Sequence, residues 1–466
     1  MKNVVLICQD RADYSLEERF RLVRSIAEDG GYRIVLLVVH PTMKKEDFLA
    51  IKGVEHVIDS LELEYMESMK GIDFDTITSC RDLQQNIESA YYRLYSDYQL
   101  DKYTYYAALS FWNHFFKTHH VDILIGTKPF HGYAYDCCDL IARKYHVKFF
   151  HVDWVGYHRS CGFYTSDTAN RFQLLPVKSH PCPNIAYLLD SEYDKTKNPP
   201  AKISKSHFRR AMYRIGGNLL EDFAVRLLHN NWKPQNLDRK RRKIYWSDKL
   251  FGYWRQKRTQ KYLQTLFQNP TSNEKYVCYL LHVEPEATIQ NTTVIESQLI
   301  IIKMLSETLP DGWFIYVKEH PAQFDMNNDI GYYRMWDGQF FKTKMFYQKL
   351  ASIPHVKIIP TDIPSDKLVN HAQAVASITG TVLLESVLKK KPVLVFSELT
   401  PVTFMEDAFF IQSYDDCKHA IDRIAAGFTP EYRDADAMVR KYTFQGEYTA
   451  ENIVALLHQE CPLELT

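Results

Sequence analysis

No stretch of this 466-residue chain approaches the about eighteen uninterrupted apolar residues of a membrane-spanning helix. The apolar run after Met1-Lys2-Asn3, Val4 to Cys8, is also too short for a signal-peptide core, so export by that route is not expected. The nine cysteines, at 8, 80, 137, 138, 161, 182, 278, 417 and 461, make no CxxC pair and no Cys/His metal spacing. They read as reduced cytosolic thiols and argue against a structural zinc site. Net charge is missing too. With 57 basic and 57 acidic residues, nothing global argues for a nucleic-acid partner. These absences lead to the expectation of a cytoplasmic protein.

What is present is enough apolar material for two cores. The length exceeds one ordinary domain, and 45% of the residues are hydrophobic. Val4 to Cys8 reads as a strand, Leu16 to Ala27 as an amphipathic helix, and Ile34 to Val39 as a second strand after Gly30-Gly31. That order is a βαβ unit, whose uninterrupted apolar strands suit a parallel sheet covered on both faces. Val121 to Gly126, Tyr133 to Tyr145 and Val147 to Val152 repeat it. The rhythm restarts with strands at Tyr276 to Leu281, Trp313 to Lys318, Val356 to Ile359, Ala374 to Ile378 and Pro392 to Phe396. Helices are expected between them at Val294 to Leu309, Met345 to Ile353, Ser365 to His371 and Val382 to Lys390. The fold class is therefore α/β, with two doubly wound Rossmann-type lobes. Ligands of such sheets lie beyond the carboxyl ends of the strands, in a cleft between the lobes.

Local charge is far from even. Between Lys202 and Lys261 there are seventeen Lys/Arg against four Asp/Glu, including Arg239-Lys240-Arg241-Arg242-Lys243, with Trp232, Tyr245, Trp246, Phe251, Tyr253 and Trp254 interleaved. The segment reads as a solvated helical connector with snorkelling basic side chains or as a peripheral contact with anionic lipid, with nucleic acid a third reading that no recognition motif accompanies. The resulting organisation is a first α/β lobe at 1–200, this connector at 201–265, a second α/β lobe at 266–430, and a helical segment at 431–466 expected to pack back on the first lobe.

Three loops carry chemistry. Lys318-Glu319-His320-Pro321 follows a strand, which puts His320 at a carboxyl strand end, able to hydrogen-bond a phosphate or hand a proton to a leaving group. In Ser377-Ile378-Thr379-Gly380-Thr381, a strand runs into a helix whose amides and dipole attract an anion, with Gly380 permitting close approach. Simple N-capping by Thr379 or Thr381 would use the same residue types. Glu385, one turn inside that helix, could accept from ribose hydroxyls or be solvated. In His282-Val283-Glu284-Pro285-Glu286, two carboxyls follow a strand and could serve as acid or base if buried together.

As an ordered set, Leu281-His282-Val283-Glu284-Pro285-Glu286-Ala287, Val317-Lys318-Glu319-His320-Pro321, Ile378-Thr379-Gly380-Thr381 with Glu385, and Lys391-Pro392-Val393-Leu394-Val395-Phe396 resemble the capsule polysaccharide biosynthesis family over residues 276 to 410. Members are GT-B glycosyltransferases, among them transferases of 3-deoxy-manno-octulosonic acid acting in capsule and lipopolysaccharide synthesis. The His-Pro pair with a downstream hydroxyl-rich loop is also similar to GT-B sialyltransferases and to teichoic-acid polyol-phosphate transferases, which use CMP- or CDP-activated donors.

The resemblance implies that Lys318, Glu319, His320, Pro321, Thr379, Gly380, Thr381 and Glu385 form the nucleotide-sugar site. His320 would contact or protonate the donor phosphate, a CMP-linked acidic sugar being favoured, and the acceptor would be a glycan or lipid-linked glycan. The nucleotide-sugar is a substrate, so no cofactor is expected. A general base should come from the first lobe, where Asp153 is the first candidate and Asp13 the second, with Asp10, His131 and Asp136 also in position. Glu286 is the candidate acid or base of the second lobe. Asp73-Phe74-Asp75 and Asp434-Ala435-Asp436 could bridge a metal to a diphosphate, but neither follows a convincing strand, and a metal-independent reaction is expected. The rival readings are a CDP-polyol phosphotransferase and a non-catalytic nucleotide-binding module.

Overall fold

The computed structural model describes residues 1–8, 16–40, 43–64, 66, 68–84, 87, 98–127, 133–156, 160–168, 171–190, 246–284, 289, 294–295, 297–324, 341–446 and 450–461. Among these, 1–184 and 439–461 build one compact unit, and 185–190 with 246–438 build the other.

The first unit holds an eight-stranded mixed sheet. Strands β1 (Asn3–Ile7), β2 (Arg33–Val39), β3 (Val57–Asp59), β4 (Ile123–Thr127) and β5 (Lys148–Trp154) are parallel in the order β3-β2-β1-β4-β5. Val4 to Ile7 and Ile34 to Val39 are buried at every position because helices cover both faces. The first helix ends at Arg24 and passes into a wide turn, Ser25–Asp29, in which the Gly30 amide reaches back to the Ser25 carbonyl. On one face lies helix Tyr98–His119, which sets Tyr105, Ala108, Leu109, Trp112 and Phe116 against the sheet at helical spacing.

Beyond β5 the sheet turns antiparallel. Strand β6 (Ser160–Thr168) pairs with β5, β7 (Arg171–Leu175) pairs with β6, and a short strand near the C-terminus, β14 (Phe444–Gln445), pairs with the start of β6. Helix Ala450–Glu460 buries Ile453, Leu456 and Leu457 in the second core layer of this same unit.

The second unit is a six-stranded, wholly parallel sheet of β8 (Lys275–Leu280), β9 (Trp313–Lys318), β10 (Val356–Ile359), β11 (Ala374–Ser377), β12 (Val393–Val395) and β13 (Phe409–Phe410). Their order, β10-β9-β8-β11-β12-β13, is the dinucleotide-fold arrangement, which reverses direction between β8 and β11. The chain thus contains two Rossmann-type lobes, as expected. Helices Gln298–Thr308, Lys344–Ser352, Thr381–Leu388 and Tyr414–Ala425 link or cover the strands. No described helix is long and apolar enough to cross a membrane.

Candidate functional site

In a doubly wound sheet the crevice opens where strand order reverses, so the loops leaving β8 and β11 mark the site in the second lobe. The β8 loop carries His282 and β11 ends on Ser377, and their Nε2 and Oγ stand 3.1 Å apart. The Ser377 hydroxyl donates to the Thr379 carbonyl at 2.9 Å, so it accepts from His282, whose Nε2 carries a proton. Gly380 follows at φ +102°, in the region that favours glycine, with His282 Cε1 3.6 Å from where a Cβ would stand.

Gly380 is also the N-cap of helix Thr381–Leu388, and among the described residues no side chain caps that helix. The sequence left capping by Thr379 or Thr381 open; the structure decides against it. Thr379 is buried, and the Thr381 hydroxyl bonds to Glu385 instead. The positive end of the helix is left for an anion. Burial raises the half-buried Glu385 carboxyl above its ordinary range, with Lys389 pulling it back.

The β9 loop is built from the inside out. Glu319 is almost wholly buried, and its carboxylate accepts from Lys342 Nζ at 2.7 Å, the Tyr347 hydroxyl at 2.7 Å and the His320 amide at 2.7 Å. Lys318 points inward as well, donating to Ser365 Oγ at 2.9 Å, and burial lowers its pKa. Both side chains face the fold, so the expectation of ligand contact moves from Lys318 and Glu319 to His320, which is exposed beside Pro321. His320 Nδ1 accepts the Ala322 amide at 3.1 Å, so its neutral ring carries the proton on Nε2, as a donor.

Residues that sequence reasoning missed tie the two histidine loops together. Lys342 has a wholly buried side chain and donates to the His282 carbonyl as well as to Glu319. Gln298 receives the His282 amide at 2.8 Å and donates to the Glu284 carboxyl. Gln323 grips the Glu284 backbone twice, accepting its amide at 2.8 Å and donating to its carbonyl at 2.9 Å. Lys342 lies 23 residues beyond Glu319, and no local pattern marks the pair.

This chain belongs to the capsule polysaccharide biosynthesis protein family. That family's model matches residues 140–399, more than half the chain. No curated protein matches the sequence. Among solved structures, the chain is similar to UDP-GlcNAc 2-epimerase from Methanocaldococcus jannaschii, at 13% identity over 98% of this chain and 100% of that one, with a TM-score of 0.26. It is similar to the beta Kdo 2,7 transferase KpsC from Thermosulfurimonas dismutans, at 10% identity over 99% and 100%, TM-score 0.30. It is also similar to a glycosyltransferase from Rickettsia africae, at 10% identity over 98% and 97%, TM-score 0.28. None of the three superposes well enough to inform the site.

In the first lobe, Asp153 lies within β5 instead of following it, because the strand runs on to Trp154 while pairing with β6. Its Oδ1 accepts the Trp154 amide at 2.6 Å. Asp136 is buried in the first turn of helix Tyr133–Lys144. The same helix supplies Asp139, whose Oδ2 meets His151 Nε2 at 2.9 Å inside the core, a pair the sequence did not announce. Asp10, Asp13, His131, Glu286 and residues 202–245 lie outside the described residues.

Carboxylates of both Asp-x-Asp triplets are engaged by backbone amides. Asp73 caps helix Phe74–Ser79, accepting the Asp75 amide and the Thr76 hydroxyl, which with Lys117 and Lys144 hold its carboxyl down to about 2. Asp434 accepts the Glu406 amide and Asp436 the Ile185 amide. Among the described residues, no three His, Cys, Asp or Glu side chains are grouped to hold a metal ion.

Proposed function

We propose that this chain is a glycosyltransferase that takes a sugar from a nucleotide-activated donor, a CMP-linked acidic sugar being favoured, and passes it to a surface-polysaccharide or glycolipid acceptor. The observation that carries the reading is the uncapped N-terminus of helix Thr381–Leu388, opened by a positive-φ glycine beside the His282–Ser377 pair where strand order reverses. Such a seat suits the phosphate of a nucleotide. His320, held as an Nε2–H donor, adds a hydrogen bond to the leaving phosphate. The carboxylate that deprotonates the acceptor is assigned to the first lobe, with Asp153 the leading candidate.

Membrane contact belongs to the same reading, because a lipid-linked acceptor is met at a surface. On helix Trp246–Thr265, Trp254, Arg258 and Lys261 share one exposed face with Arg255 beside them, an aromatic and cationic stripe suited to anionic headgroups.

The test is a thermal-shift panel of CMP, CDP, UMP, UDP and GDP, followed by turnover of His320→Ala. CMP should raise the melting temperature, since at a hundred times its dissociation constant a ligand adds about 2.7 kcal/mol. His320→Ala should lower turnover about a hundredfold with the fold intact. A panel in which no nucleotide stabilises the chain refutes the reading, and a product carrying a polyol phosphate reassigns it to phosphotransfer.

A further inference from the structure

Two carboxyl groups and one ammonium meet behind the β8 and β9 loops, and the geometry treats the two acids differently. Glu319 takes three donors, Lys342, Tyr347 and the His320 amide. Among the described residues, no ammonium bonds to Glu284. The two Lys342 bonds go to Glu319 and to the His282 carbonyl, and the Glu284 carboxyl is met at Oε1 by the Gln298 amide.

That amide is itself fixed by the His282 backbone, and Gln323, buried in the turn that follows His320, clamps the Glu284 main chain on both sides. Glu284 is therefore held rigidly beyond the carboxyl end of β8, tied to the loops of both site histidines, and is half-buried where Glu319 is closed off.

We propose that Glu284 is the carboxylic acid that protonates the departing phosphate of the donor, a role that rests on the donor reading above. As an acceptor hydroxyl bonds to the anomeric carbon and gives its proton to the general base, the bond from that carbon to the phosphate oxygen breaks and its electron pair stays on that oxygen. The proton of Glu284 moves onto it, and the acid is left as a carboxylate facing Lys342 and the Gln298 amide. Burial pushes the Glu284 carboxyl up from its ordinary range and the charge of Glu319 adds to this, while Lys342, Gln298 and His282 pull it back. Tyr279 and Tyr347 are the other titratable groups that feel its charge. A carboxyl raised by burial and fixed in place beside the loops of the site fits the pattern of a general acid.

The test is Glu284→Gln in the full chain, with release of CMP from a CMP-linked acidic sugar as the readout and CMP binding and melting temperature measured alongside. Release should fall about a hundredfold or more at unchanged CMP affinity. In the parent, release should fall as pH rises through the Glu284 pKa, and the variant should lack that limb. A carboxyl raised in the folded state stabilises below its unfolded pKa and loses that contribution as pH rises, so the glutamine should melt at the parent's temperature or above it near neutrality. Release at the parental rate, or a melting temperature well below the parent's, overturns the acid role while leaving the donor reading in place. A parent chain that neither binds CMP nor releases it overturns both.

Discussion

Replacing Lys342 by methionine removes an ammonium whose side chain is wholly buried and leaves the Glu319 carboxylate, 1% exposed, with a hydroxyl and an amide but no counter-charge. Breaking one side of a buried pair costs about 3–5 kcal/mol, because the surviving charge keeps its desolvation penalty. For a lobe of this size each kcal/mol moves the melting temperature by about 2–4 °C. The transition of the second lobe should therefore fall by about 6–20 °C. Calorimetry of Lys342→Met, Glu319→Gln and the double variant checks this. The double variant should cost less than the two singles summed, by about 1–3 kcal/mol, since it removes the ion together with its partner. A Lys342→Met deficit under about 1 kcal/mol, or strict additivity in the cycle, would show that Glu319 is solvated or paired otherwise and would sink the clamp between the β8 and β9 loops.

The remaining outcomes bear on ligand and surface. Gly380→Ala should cost about 1–2 kcal/mol through backbone strain at φ +102°, because the added methyl would meet nothing nearer than His282 Cε1 at 3.6 Å, and it should weaken CMP binding; parental stability and affinity would refute the seat. Trp254→Ala with Arg258→Ser and Lys261→Ser should lessen sedimentation with phosphatidylglycerol vesicles, the parent's binding itself weakening as salt rises; a parent that does not sediment ends the membrane reading.

The second sheet was the more legible of the two. Trp313–Lys318, Val356–Ile359 and Ser365–His371 have the bounds read from sequence, because each is a continuous run punctuated by Pro, Gly or Asp. The antiparallel end of the first sheet was not, since β6 mixes hydroxyl, aromatic and acidic residues without clean alternation and β14 is two residues long. For the same reason the strand holding Asp153 seemed to end before it.

Sequence by itself determined the α/β class, the two lobes and the loops that hold His320 and Gly380, because burial on both faces of a parallel sheet writes itself as apolar runs and the residues after them are placed at strand ends. Tertiary structure alone decided which polar groups face inward. Lys318 and Glu319 adjoin His320 in sequence yet point into the fold, and the cation that holds Glu319 arrives from a distant segment. A one-dimensional pattern records which residues are charged. The pairing that fixes their protonation and reach is set by distances across strands.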